Sequence, residues 1–229
     1  MMRFASLGSG SKGNATLVAT DSTLLMIDCG FSGREASRRL ARLGVSPEQL
    51  DAVLVTHEHS DHISGVAALS RRYDIPVYLT HGTASSGRCD KSHELRSFNC
   101  GDIFPVGDIQ VTAVPVPHDA LEPCQYRLES GPMALGVLTD LGSVTPQVVE
   151  HFGSCDALLL EFNHDVPTLM AGSYPPRLKR RVAGDWGHLN NGQSLDLLRS
   201  VELERLRHLV VAHVSENNNS RHLVEEALL

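Results

Sequence analysis

No apolar run in the sequence approaches the ~18 residues that a membrane-spanning helix needs, so no membrane partner is expected. Cysteine is sparse and unpatterned. Cys29, Cys89, Cys100, Cys124 and Cys155 are an odd set without a C-x-x-C pair, which argues against a disulfide framework and against a cysteine-type zinc knuckle. Residues 1–8 carry no apolar stretch of the secretory kind, so reduced thiols in a cytoplasmic protein are the expectation. Aromatic residues make up only 5%, too few for a surface built from base-stacking rings. The net charge of −7 excludes a polycation that coats nucleic acid. Repeats, low-complexity tracts and Pro/Ser linkers are also lacking, so the 229 residues read as a single domain, 1–229.

What is plentiful is histidine. Twelve residues of the commonest metal-ligating type occur in the chain. Short, often β-branched apolar runs predict strands over 4–7, 15–20, 24–28, 52–56, 77–80, 109–116, 134–139, 157–162 and 209–212. Helical patterns fall at 34–43, 62–73, 146–152, 192–201 and 220–228. Strands come in bunches with helices between bunches, which predicts packed sheets with helices outside. Gly8-Ser9-Gly10-Ser11-Lys12-Gly13 spells G-x-G-x-x-G after a strand, but another strand pattern follows where a dinucleotide site needs a helix. It reads as a glycine-rich hairpin turn, with Ser9 and Asn14 as candidates to line a site through such a turn.

The chemistry concentrates in Thr56-His57-Glu58-His59-Ser60-Asp61-His62, where an apolar strand runs into three histidines and an aspartate. His57 and His59, two apart on extended backbone, point the same way. Asp61 and His62 fall where the chain turns into a helix and address a second point, a spacing suited to two adjacent metal ions. His118, Asp140 and His213 each stand at the C-terminal end of another apolar strand, so all are candidates to converge on one edge.

On these motifs, with Glu161-Phe162-Asn163-His164-Asp165, Gly187-His188-Leu189-Asn190-Asn191 and Ala212-His213-Val214-Ser215-Glu216-Asn217, the chain resembles the metallo-β-lactamase superfamily, and within it the YycJ/WalJ branch. The resemblance implies an α+β fold, an αββα four-layer sandwich of two mixed sheets with outer helices. It also implies a dinuclear centre: His57, His59 and His118 on one metal, Asp61, His62 and His213 on the other, Asp140 shared. The set holds only imidazole and carboxylate, compatible with Zn²⁺, Mn²⁺ or Fe²⁺. Asp28, ending a strand, is expected to support the metal-binding loop. His188 is the candidate to protonate the leaving group, or else to cap the helix that follows. His164 either orients a ligand or contacts substrate, and Asp61 counts with them among the catalytic candidates.

Arg177, Lys179, Arg180 and Arg181 place four cations within five positions, readable as a phosphate-binding groove or as a solvated helix face. Trp186 either packs or stacks on a base. The activity so implied is metal-dependent phosphodiester hydrolysis by hydroxide held between the metals, with 5′-to-3′ trimming of DNA ahead of RNA. A small-molecule hydrolase of cyclic phosphodiesters, lactones or thioesters is the alternative on the same site. A homodimer is left open.

Overall fold

The computed structural model describes residues 1–229. Its contacts divide the chain into two compact units. The first comprises Met1–Ala113, Ala120–Cys124 and Leu128–Pro132; the second comprises Val114–Asp119, Gln125–Arg127 and Met133–Leu229.

The first unit holds a six-stranded sheet in plain sequence order, β1 (Arg3–Gly8), β2 (Ala15–Ala19), β3 (Leu24–Ile27), β4 (Ala52–Leu54), β5 (Pro76–Thr80) and β6 (Glu94–Phe98). β1, β2 and β3 pair antiparallel, whereas β3 to β6 run parallel and need crossovers. Helices α1 (Gly33–Ala41), α2 (Ser60–Ile63), α3 (Val66–Tyr73) and α4 (His81–Ser85) supply them. Ala36 and Leu40 of α1 and Val66 and Leu69 of α3 pack on alternate strand residues, Val53 and Val55, then Val77 and Leu79. The G-x-G-x-x-G segment is a hairpin turn as expected: the Gly13 N–H donates to the Gly10 carbonyl, and β2 follows directly. The single helix expected over 62–73 is two helices. The break falls at Gly65, whose N–H donates to the Cys29 carbonyl (2.8 Å) while the Asp61 carbonyl accepts from the Asn14 N–H (2.7 Å), and a Cβ there would come within 1.9 Å of the Phe31 carbonyl oxygen.

The second sheet has the order β12-β11-β10-β9-β8-β7. Its strands are β7 (Ile103–Val106), β8 (Ile109–Pro115), β9 (Cys124–Ser130), β10 (Met133–Leu138), β11 (Ala157–Glu161) and β12 (His208–Ala212). β10, β11 and β12 are parallel. They are joined first through α5 (Pro146–Phe152), then through α6 (Val166–Ala171), α7 (Pro176–Val182) and α8 (Asn191–Arg199), with α9 (Arg221–Leu228) last. Val148 and Phe152 of α5, Leu197 and Leu198 of α8 and Val224 of α9 share a core with Leu158 and Leu160.

All nine expected strands and all five expected helical regions are present; β6, β7, β9, α4, α6 and α7 were not expected. No helix is long and apolar enough to cross a membrane. The cysteines are free, and burial pushes the Cys29 thiol up to about 12 and that of Cys89 to about 11, so neither is a thiolate at neutral pH.

Candidate metal centre and its supporting shell

In the first unit the histidine block leaves β4 and turns into α2, with His57 and His62 buried and His59 and Asp61 partly exposed. The His57 ring lies 4.6 Å from that of His59 and 4.2 Å from that of His62, centroid to centroid. Asp28 organises the block. Its carboxylate accepts from the Thr56 N–H (2.8 Å) and the Thr56 hydroxyl (2.8 Å), and its Oδ2 lies 2.8 Å from His62 Nδ1. The Thr56 hydroxyl also lies 2.9 Å from His57 Nδ1. Each imidazole is thus held at Nδ1 and presents Nε2, the usual arrangement behind a metal-bound histidine. Asp28 adopts φ 59°, a left-handed conformation uncommon outside glycine, and its three hydrogen bonds hold it there.

Asn14 is buried and its side chain serves the turn. Its Oδ1 accepts from the Gly10 N–H (2.8 Å), while its Nδ2 lies 3.3 Å from the Asp61 carbonyl and 3.0 Å from His62 Nε2. Its own N–H donates to the Asp61 carbonyl at 2.7 Å. Ser9 lies exposed on the same turn.

In the second unit His118, Asp140, Glu161 and His213 each come at or just after the end of a strand. Asp140, Glu161, His188 and His213 each offer a ligand-type atom, all within 4.8 Å of one another. Glu161, the last residue of β11 and fully buried, is their hub. Its Oε1 lies 2.8 Å from both His188 Nδ1 and His213 Nδ1, and its Oε2 accepts from the backbone N–H groups of Leu141 (3.2 Å) and Leu189 (3.1 Å). Burial alone would raise the Glu161 pKa, but the charge of His188 and the hydrogen bonds from both histidines outweigh it and hold the carboxyl below its ordinary value. His118 points Nδ1 at the Gly187 carbonyl, 2.9 Å away. His213 stands at φ 50°.

Sequence reasoning gave Glu161 no role. Its signal was present: an apolar strand, Ala157–Glu161, ending in an acid, as the strand before Asp140 does.

His188 does not cap the following helix. Asn190 does, its side chain accepting from the Gln193 N–H (3.0 Å) while Gln193 Oε1 accepts from the Asn190 N–H (3.0 Å). His164 is fully buried, and neither ring nitrogen has a hydrogen-bond partner. Burial is the main reason that its pKa falls to about 4. The folded state therefore keeps His164 neutral while the unfolded chain protonates near 6.5, so stability is intact above pH 6.5 and falls as the pH drops towards 4. The loss is about 3 kcal/mol by linkage. Urea titrations across that range are expected to show this acid limb in the wild type and a flatter one in His164→Leu. Equal slopes would exclude the assignment.

The four basic residues all lie on α7, the helix that begins at Pro176. Arg181 pairs with Asp119, the neighbour of His118, and Lys179 Nζ donates to the Met170 carbonyl (2.6 Å). Arg177 and Arg180 are exposed.

A model of the beta-lactamase superfamily domain matches residues 23–213. The chain belongs to that superfamily. Among superfamily relatives it is 35% identical to the exodeoxyribonuclease WalJ of Streptococcus pneumoniae, over 99% of this chain and 87% of that protein. It is also 35% identical to the exodeoxyribonuclease YycJ of Bacillus anthracis, over 97% and 86%. The metallo-β-lactamase fold protein YhfI of Bacillus subtilis is similar in structure, with TM-score 0.77 and 17% identity over 99% of this chain and 92% of that one. These likenesses bear out the expected α+β superfamily fold, with two mixed sheets flanked by helices. The donor set fits the divalent metal that the superfamily fold implies: it is imidazole and carboxylate throughout, with Nδ1 of His57, His62, His118, His188 and His213 each directed at a protein oxygen.

Proposed function

We propose that this protein is a metal-dependent exodeoxyribonuclease that trims DNA from the 5′ end. The observation that carries the reading is its 35% identity, along nearly the whole chain, to two exodeoxyribonucleases. The complete histidine and aspartate set supports it. His57, His59 and His118 would hold one divalent ion, Asp61, His62 and His213 a second, with Asp140 shared, as Zn²⁺, Mn²⁺ or Fe²⁺. When bound, such ions supply acidified water and neutralise phosphate oxygens at neutral pH.

The protein's own residues do the rest. Glu161 and Asp28 hold histidine rings by Nδ1. His188, whose side chain is 19% exposed against 3% for His213, is the histidine of the Glu161 pair that a substrate can reach. Held by Glu161 at Nδ1, it gives a proton from Nε2 to the departing alkoxide oxygen. Arg177 and Arg180 attract the phosphate backbone without reading sequence.

The test uses Mn²⁺-loaded protein and linear 5′-phosphorylated DNA labelled at its 3′ end. A ladder shortening from the 5′ end is expected, and it should vanish with chelator and in His57→Ala. Protein that holds two metal ions yet leaves DNA intact would overturn the reading in favour of a small-molecule hydrolase.

A further inference from the structure

The chain has one tryptophan, and it is exposed where exposure needs a reason. Trp186 is 63% accessible, two residues before His188. Its backbone is held from three sides. Gly142, two residues after Asp140, sits so close that a Cβ there would come 2.4 Å from the Asp185 carbonyl carbon and 2.5 Å from the Gly187 nitrogen. The Gly187 carbonyl faces His118 Nδ1, and the Ser143 hydroxyl donates to the Asp185 carbonyl (3.3 Å). Gly187 also rests on the last turn of α7, where a Cβ would meet the Arg181 carbonyl oxygen at 2.2 Å and that of Val182 at 2.3 Å. An indole on so constrained a backbone costs little further entropy when a flat ligand stacks on it.

α7 supplies charge beside it. With Arg181 on Asp119 and Lys179 on the Met170 carbonyl, the exposed guanidiniums of Arg177 and Arg180, three residues apart, share one helix face, about 4.5 Å along the axis from one to the other. An exposed ring with two cations on the preceding helix is the combination that grips single-stranded nucleic acid, bases on the ring and phosphates on the arginines. Resting on the nuclease reading above, we propose that Trp186 stacks on an unpaired base of the DNA while Arg177 and Arg180 hold its backbone.

As the sole tryptophan, Trp186 reports on itself. Titrating Mn²⁺-loaded protein with a short phosphorothioate oligo(dT), whose linkages resist hydrolysis, is expected to quench and shift tryptophan emission. An abasic oligomer of the same length should bind more weakly and leave emission unchanged. Trp186→Ala is expected to bind oligo(dT) about tenfold more weakly, and Trp186→Phe to recover most of the loss. Replacing Arg177 and Arg180 by alanine should lower the slope of log affinity against log salt by about 1.4.

Oligo(dT) that binds by anisotropy without altering emission, with equal affinity in Trp186→Ala, overturns this proposal and leaves the nuclease reading standing. Wild-type protein that neither binds nor trims DNA overturns both.

Discussion

Glu161→Gln is expected to reduce DNA trimming by about 100-fold and to weaken metal binding by a factor of about 10–100. The carboxylate accepts from four groups, two imidazole Nδ1–H and two backbone N–H, and is fully buried. Glutamine keeps the shape but replaces one acceptor oxygen with a donor. If the amide oxygen stays on the histidines, the new NH₂ confronts the N–H groups of Leu141 and Leu189. If it turns, it confronts both rings. Either way at least two buried donors lose their acceptor, each at about 1–3 kcal/mol. The imidazoles also lose the negative charge that fixes their tautomer and raises their basicity. Metal titration and kcat/KM on DNA, measured on protein with an unchanged circular dichroism spectrum, check this. Activity within a few-fold of wild type would remove Glu161 from the supporting shell.

Gly30→Ala is expected to damage the site through the backbone. A Cβ there would stand 1.8 Å from the Asp61 carbonyl oxygen, 2.3 Å from its carbon and 2.9 Å from the Gly13 Cα. All three are main-chain atoms, so no rotamer change relieves the overlap, and the Asp61–His62 turn must move. The expected loss is at or above the upper end of the usual overpacking range, about 1–3 kcal/mol, with metal retention lost in the same variant. Gly33→Ala, three residues on, is the matched control. Its Cβ meets nothing within 4 Å and it opens α1, so neutrality or a gain of up to about 1 kcal/mol is expected. Denaturant unfolding and metal content of the two variants side by side decide the matter; similar behaviour would mean that Gly30 is not wedged against Asp61.

The elements that sequence reasoning missed share physical causes. β6 is an edge strand with four exposed residues in five, so it needs no apolar run; β7, at the edge of the other sheet, is apolar but only four residues long and contains Pro105, which a strand pattern does not favour. β9 lies inside its sheet but carries Gln125, whose side chain accepts from the Thr139 N–H (3.1 Å) and donates to the Asp140 carbonyl (3.3 Å). A buried polar residue placed to steady a functional loop breaks the pattern that marks a strand. α6 and α7 are short, six and seven residues, and each carries a proline in its first turn, Pro167 and Pro176, where proline suits a helix but masks the helical pattern in the sequence. The histidine and aspartate set was legible because its residue types are chemically unusual and cluster in sequence. Glu161 and Thr56 were not, since their work depends on partners that only folding brings near.

The segment that carries α6, α7 and Trp186 begins and ends at the same place. Asn163 and His164 meet Leu189 to Asn191 through a parallel bridge, with the Asn163 N–H on the Leu189 carbonyl and the Asn191 N–H on the His164 carbonyl, 3.0 Å each. The intervening chain is therefore a cassette on a closed clasp. Lengthening it around α6 and α7, with Gly187 and His188 kept against His118 and Glu161, adds only a slowly growing loop-closure cost, roughly 0.6 kcal/mol per doubling, while the clasp keeps its register. If Trp186 and α7 grip the strand as proposed, a change of polymer preference calls for a different insert between the same two ends and leaves the strands as they are.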